Sequence, residues 1–434
     1  MAVTATAVWR VRPSGSNING GGYDSGIAGA ATDYSQQNAA QATGTLGTAA
    51  GTAAFSDAGG AFTAAMIGNA LWIASGAGFT TGAYFITAFT SSTAVTLDRS
   101  PGTGSAANWK LGGGWADFVT NTVSGSTPIV AGNTVYVLGS GTPNPAAYTY
   151  DYTVTSAFSF APGSGESGGT SSVVLLANDP LTPGYKAPPD TTGGMPTVKV
   201  NTVAANFMTV SDNKISGLWF IANSMNAGKI IITGVGAPMS VFGCVFDQFG
   251  NDATAIALNS GVSYGAYAAG CEVFSSSGGS GGTNYAITGT QSLPSIVTTC
   301  NIHDCVGRGI NINFGSVVDT IVAKCSSHGI VSGNNGSLIM NCTVDANGGD
   351  GIHCSSPNIV TMGILNNIIS NHVTGGTFGI SLAQGAPFNP GLIDYNVFFN
   401  NTTDYSNSWP YQPHDTHGGS NPYVGQSTEN YTLA

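Results

Sequence analysis

Two short phrases recur in step down the second half of this 434-residue chain, and that recurrence restricts it to folds built from one stacked unit. The first phrase reads VFGCVFD, AAGCEVF, VTTCNIH, VAKCSSH and IMNCTVD. It puts Cys244, Cys271, Cys300, Cys325 and Cys342 in one column at spacings of 27, 29, 25 and 17. The column continues with Asn367 in LNNIISN and Asn396 in DYNVFFN, and upstream with Leu218 in SGLWFIA. The second phrase reads TAIAL, YAITG, GRGINI, SHGIVS, GDGIHC and TFGISL. It aligns Ile256, Ile287, Ile310, Ile330, Ile352 and Ile380.

Each phrase is short, rich in β-branched residues and bounded by Gly, Asn, Ser or Asp, which is the pattern of a strand. Alternation is period two: Cys300 and Ile302 face inward with Asn301 and His303 outward, and Ile352 and Cys354 face inward with His353 outward. Ile380 with Leu382, and Ile256 with Leu258, repeat the choice. No sustained 3.6-residue stripe and no regular leucine consensus occurs here. A coil that advances one strand spacing, about 4.8 Å, per turn stacks like residues on like residues and accounts for both columns.

These phrases resemble the parallel β-helix repeats of pectate-lyase-like enzymes, bacterial surface proteins and phage virion proteins, over about residues 200–400. WRVRPSGSNINGGGYDSG and the Gly-rich segment from GGAFTAAMIGNALWIASG to TLDRSP resemble a module ahead of such helices in phage and environmental bacterial proteins. NPYVGQSTENYTL resembles a closing segment after the last coil. The resemblance implies an all-β chain: a right-handed parallel β-helix (solenoid) with a small N-terminal β module and a C-terminal capping tail. No catalytic motif of the lyases or hydrolases is recognisable.

The expected organisation is an extended N-terminal arm over 1–35, a small β module over 36–112, a β-helix over 113–400 with long loops at 142–200, and a cap or docking tail over 401–434. MIGNALWIASG, AYFITAFTS and AVTLDRS supply the module's strands, WADFVTNTV a short helix, and GNTVYVLGSG the first strand of the helix. The 142–200 stretch is punctuated by Pro and Gly. A cap is required because a solenoid end is an open sheet edge.

Composition narrows the function. Charged residues are 7% of the chain, against about 25% in ordinary soluble proteins. The surface is therefore made of amides, hydroxyls and backbone. Apolar residues at 42%, periodically placed, argue against disorder. Net charge is −11, with ten basic residues and none after Lys324, which argues against a nucleic-acid partner. There is no apolar run of 18 residues, so no membrane insertion is expected. MAVTATAVWRVRPSG lacks the basic start and apolar stretch of a signal peptide. A virion surface protein, made in the host cytoplasm and released by lysis, reconciles an extracellular composition with that opening. Seven Cys, all between 244 and 354, read as buried free thiols rather than a disulfide set or a zinc site.

Counting two residues back from each column isoleucine gives Arg308, His328, Asp350 and Phe378. The first three place a cation, a titratable group and an acid on neighbouring coils. They suit sugar binding or acid–base chemistry, or form a surface charge ladder. Lyases of this fold use several carboxylates for calcium, and glycosidases need two carboxylates about 5–9 Å apart. Here Asp247, Glu272, Asp304, Asp319, Asp345 and Asp350 are not expected to share one column. His414 and His417 have the spacing of a weak metal contact or of a polar tail loop. The aromatics of YTYDYTV, SNSWPYQP and NPYV suit sugar stacking, or packing of a cap or interface.

The expectation is a non-enzymatic virion structural protein: a capsid decoration (cement) protein or a spike-type adhesin. It needs no cofactor and no metal. By resemblance it forms a homotrimer and contacts other virion proteins and host-surface polysaccharide. The alternatives are a phage tailspike polysaccharide depolymerase and a secreted bacterial β-helix adhesin.

Overall fold

The computed structural model describes residues 4–117, 129–130, 132–139, 151–155, 157–160, 174–177, 195–201, 206–210, 213–222, 228–233, 239–258, 265–276, 283–289, 294–333, 336–355, 362–382, 393–406, 412–418, 421–425 and 430–433. The described residues are strands joined by turns, with two single-turn 3-10 helices, Tyr34–Gln36 and Ala64–Met66. The chain divides into two compact units: Met1–Tyr152 with Phe158–Val198 and Asp212–Leu218, and Thr153–Ala157 with Lys199–Ser211 and Trp219–Ala434.

In the first unit, six antiparallel strands within residues 42–111 close into a barrel. The three strand segments named from the sequence lie in it as Ala70–Ser75, Gly82–Ser91 and Ala94–Leu97. Its core packs Phe55, Leu71, Ile73, Tyr84, Ile86 and Trp109. The Trp109 ring stacks on Phe62 at 5.0 Å, and its Nε1 donates to Asp57 at 2.9 Å. Part of the N-terminal segment is a paired strand. Ala7–Val11 pairs parallel with Thr134–Val137 and antiparallel with Gly22–Asp24. Trp9 is fully buried against Trp115 and Phe85. Alternation drives this, because Trp9 and Val11 both point inward from one strand. Thr134–Val137, in GNTVYVLGSG, pairs in turn with Val174–Ala177. Trp115–Asp117 is not helical, and the rest of WADFVTNTV lies outside the described residues, as does most of 142–200.

The second unit is a parallel β-solenoid. Each coil contributes one strand to each of three sheets, and every strand pairs parallel with its counterpart one coil on. Sheet one runs from Met239–Phe242 to Ile393–Asp394, sheet two from Trp219–Ala222 to Thr416–His417, and sheet three from Asn206–Val210 to Ile380–Leu382. The isoleucine column is a true register: Ile256, Ile287, Ile310, Ile330, Ile352 and Ile380 pair in succession, and all are fully buried. The glycine before the last four of them is forced by close approach. A Cβ on Gly309, Gly329 or Gly351 would lie 2.4, 2.7 or 2.6 Å from the carbonyl oxygen of the next coil's glycine.

The corner between sheets one and two is a single residue in the left-handed region: Gly243, Gly270, Thr299, Asp319, Asn341, Asn366 and Tyr395, all at φ between 51° and 60°. Outside Gly, each such residue costs roughly 1–2 kcal/mol, so five successive ones imply a compensating contact. The next residue supplies it by turning inward. These residues are Cys244, Cys271, Cys300, Thr320, Cys342, Asn367 and Asn396, at steps of 27, 29, 20, 22, 25 and 29. Asn367 Oδ1 accepts from the Cys342 N–H at 2.9 Å, and its Nδ2 donates to Ile339 O at 3.2 Å and to Asn396 Oδ1 at 3.0 Å. The Asn396 N–H donates to Asp415 Oδ1 at 2.8 Å, so the tail extends the ladder.

Cys325 does not belong to this column, and Thr320 holds its slot. A second left-handed corner follows sheet two at Asp304, Lys324, Ala346, Asn371 and Asn400. Behind it stands a second inward ladder: Cys305, Cys325, Asn347, His372 and Asn401. The Cys325 N–H donates to Asn347 Oδ1 at 3.0 Å, and the His372 N–H donates to Asn401 Oδ1 at 3.1 Å. The two corners have the same chemistry, so VAKC and VTTC read alike in sequence. All seven cysteines are free and buried. Six of the thiols donate to carbonyls, as Cys342 does to Val317 O at 3.4 Å, and the Cys354 thiol donates to Met362 Sδ. Burial pushes the Cys342 thiol up to about 12.

Coil length varies on both sides of sheet three. The link from sheet two to sheet three runs from Phe274 to Tyr285 in one coil and from His303 to Arg308 in another, and the link from sheet three to the next sheet one varies as well. That link runs from Leu258 to Tyr267 in one coil and from Ile312 to Gly315 in another. In the tail, Thr416–His417 joins sheet two beside Val397–Phe399, and Tyr423–Gly425 pairs with Asn430–Leu433.

Asn367→Ala leaves the Cys342 N–H without its partner in the buried corner and removes one of the bonds to the Ile339 carbonyl. One orphaned buried donor predicts a loss of about 1–3 kcal/mol. Urea unfolding of the full chain measures it, and an unchanged midpoint would contradict the ladder's role.

Candidate functional site: a histidine and aspartate strip on sheet three

On sheet three the residue two before each of the last four column isoleucines faces outward, because the glycine between them lies against the next coil's backbone. Tyr285 pairs directly with Arg308. Backbone bonds from Gly309 N to His328 O and from Gly329 N to Asp350 O, both 3.0 Å, carry the alignment on through His328 and Asp350. The residue after each isoleucine faces outward as well, which brings in His353, paired with Val331.

Three of these side chains meet. Asp350 Oδ2 lies 2.8 Å from His353 Nδ1 and 3.5 Å from His328 Nδ1. The two imidazoles stack at 4.5 Å and 17°. The Asp350 carboxyl is 8% exposed, against 26% for His328 and 31% for His353. The Asp350 backbone N–H donates to His328 Nδ1 at 2.9 Å. An amide N–H only donates, so this nitrogen carries the lone pair and the neutral ring carries its proton on Nε2. Burial holds His328 below the ordinary histidine value, and His353 and Arg308 add to the effect against the opposing pull of Asp350. Burial alone would raise Asp350. Hydrogen bonds from His353 and from the Phe378 N–H, at 2.9 Å to Oδ1, outweigh it and hold the carboxyl below its usual range. The Asp350–His353 bond then places the His353 proton on Nδ1, and Nε2 is left as an acceptor with no partner among the described residues.

His328, Asp350 and His353 are close enough to suggest a metal site. The stacked rings do not suit one. A metal bound to an imidazole lies in the ring plane at about 2.0–2.1 Å from nitrogen, and no point satisfies both planes at this separation. One of the two Nδ1 lone pairs is also held by a backbone N–H.

Arg308 stands apart. Its Nη1 donates to the Tyr285 hydroxyl at 3.0 Å and to Thr283 O at 3.3 Å. The guanidinium lies 5.1 Å from the Tyr285 ring centroid. The sequence column therefore yields one contact cluster, His328 with Asp350, and one neighbour, Arg308. Counting from a single column misses His353 and Tyr285. The signal for His353 was its outward position in the same strand as Ile352.

The other sequence candidates are placed as follows. His414 bonds Asp394 at 2.7 Å and stacks on Tyr395, while His417 bonds Asp404 at 2.9 Å and stacks on Phe398. The two have separate partners and do not converge on one ion. His303 stacks on Phe274 and reaches Glu272 and Asp304, away from the inward Cys300 and Cys305. Asp247 and Asp345 do share a column, four coils apart. Both are buried acceptors for hydroxyls, of Ser276 and Ser370 respectively. Tyr152 and Tyr423 pack inside, with their hydroxyls bonded to Leu138 O and Ser370. Residues 407–411 of SNSWPYQP lie outside the described residues. No helix among the described residues is long and apolar enough to cross a membrane.

No known protein family matches the chain, and no curated protein sequence does. Among solved structures it is similar to pectate lyase Pel9A, at 12% identity and TM-score 0.32, over 70% of this chain and 78% of that one. It is similar to the catalytic domain of a GH87 alpha-1,3-glucanase, at 12% and 0.31 over 90% of each chain. It is also similar to the Dettilon tailspike protein, at 12% and 0.26 over 67% of this chain and 62% of that one. The architecture itself rests on the strand registers given above.

His328 is expected to titrate below about 6.5, its ordinary value, in an NMR pH titration. A folded pKa below the unfolded one means that the unfolded chain takes up the proton first. The stability contributed is present above about pH 6.5 and is lost as pH falls through the folded value. Asp350, also lowered, contributes above about pH 4 and loses its share below. The thermal midpoint should therefore drop between pH 7.5 and 5.5. His372, likewise lowered by burial, shares that window, so His328→Gln should shrink the drop without abolishing it. An equal drop in the variant would contradict this assignment.

Proposed function

We propose that this chain is a virion structural protein, a spike-type adhesin or capsid decoration protein, whose β-solenoid contacts host-surface polysaccharide through the sheet-three strip without cleaving it. The observation that carries the reading is the state of Asp350. The carboxyl is ionised, buried and already accepting from His353 and the Phe378 N–H. A glycosidase acid needs a raised pKa and a proton to give, so Asp350 is suited to positioning rather than to proton donation. What remains outward is a donor at His328 Nε2 and an acceptor at His353 Nε2, a pairing that matches sugar hydroxyls.

The low charge of the chain supports a solenoid surface that repels few partners and relies on amides and hydroxyls. Assembly as a homotrimer, attachment to other virion proteins and a place on the virion surface belong to the same proposal. A trimer buries flat solenoid faces, and sheet one offers one with Ile296 among its exposed apolar residues.

A second reading, a polysaccharide depolymerase, is favoured by one feature. Asp350 fixes the His353 proton on Nδ1 and leaves Nε2 outward as a base, the arrangement by which an aspartate prepares a catalytic histidine.

Light scattering on a sizing column is expected to give an elongated trimer, and a stable monomer would remove the trimeric spike. Incubation with host capsule is expected to yield retained, uncleaved polysaccharide. Release of new chain ends, abolished by His353→Ala, would establish the depolymerase instead.

A further inference from the structure

Arg308 is the one arginine of the second unit, and among the described residues it has no carboxylate partner. Its Nε is buried and makes no hydrogen bond. Nη1 is committed to Tyr285 and Thr283. Nη2 makes no hydrogen bond among the described residues, and it is not among the buried unpaired atoms, so it opens to solvent. A half-buried cation held by a tyrosine ring and hydroxyl, with one free edge and no internal counterion, is arranged for an external anion.

We propose that the strip takes an acidic sugar, with the sugar carboxylate on Arg308 Nη2 and its hydroxyls on His328 Nε2 and His353 Nε2. This deepens the polysaccharide-binding reading and rests on it. The spacing suits an extended chain of sugars. Arg308, His328 and Asp350 stand on successive coils, about 4.8 Å apart, and the Nε2 atoms of His328 and His353 follow Arg308 along the solenoid axis. The nearest carboxylate off the strip is Asp252, which is taken up by the Thr283 and Asn284 N–H groups and makes no ion pair with Arg308. Within the strip it is Asp350, two coils or about 10 Å away. It is buried and bonded to its own donors, and that distance is about one Debye length at physiological salt. Tyr285 supplies rigidity: its ring and hydroxyl hold the guanidinium before the ligand arrives, which reduces the entropy lost on binding.

The test is an NMR titration of the full chain with glucuronate, galacturonate and N-acetylneuraminate, against glucose and galactose as neutral probes. At least one acidic sugar should bind about tenfold more tightly than its neutral counterparts, as a charge-assisted contact implies. Arg308→Gln should reduce it to the neutral level, and Tyr285→Phe, which keeps the ring and removes the hydroxyl, should weaken it less. An unchanged thermal midpoint in each variant separates these losses from unfolding. If neutral and acidic sugars bind alike and Arg308→Gln changes nothing, the acidic-sugar assignment is wrong while the polysaccharide strip stands. If no sugar of either kind binds at high millimolar concentration, both fail.

Discussion

The second unit depends on how each coil satisfies the backbone it turns away from its neighbours. Along a strand, every N–H and C=O finds the next coil without help. At a left-handed corner the chain changes direction, and a donor or acceptor drops out of that ladder inside a dry interior. Asn367, Asn396, Asn347 and Asn401 return those groups to a partner, and the cysteines fill equivalent places with a thiol. The polar residues in the core are thus what allow a hydrocarbon interior to bend twice per turn. Sheet positions, the isoleucine column and the outward strip all inherit their alignment from those two bends.

Much of this was legible. The isoleucine column, the inward and outward alternation and the strand character of the second half follow from residue types repeating in step. The Cys–Asn column was legible except at one coil. Cys325 was assigned by its local phrase, yet sequence alone does not say which of two chemically alike corners a left-handed residue and its inward neighbour belong to. Only strand pairing distinguishes Thr320 from Cys325. The N-terminal segment reads as extended, but its pairing was not legible. Its partner Thr134–Val137 lies more than a hundred residues on, and a Gly-rich flank looks extended whether or not it is paired.

The strip shows the same limit at the level of chemistry. Arg308, His328 and Asp350 lie in one column as counted, but contact is decided by side-chain direction. Arg308 leans back on Tyr285, while Asp350 reaches forward to His353, which belongs to the neighbouring outward column. A site on a stacked sheet is built from residues of similar offset in different coils. Sequence reading recovers the offset and misses the diagonal.

The variable links on either side of sheet three carry a further implication. The left-handed corner between sheets one and two recurs with one residue in every coil, and the differences in coil length fall in the links on either side of sheet three. Residues can therefore be added or lost in those links with the pitch and register left intact. Such a chain is free to vary on both sides of sheet three, and an engineer seeking to graft a peptide would choose the same places.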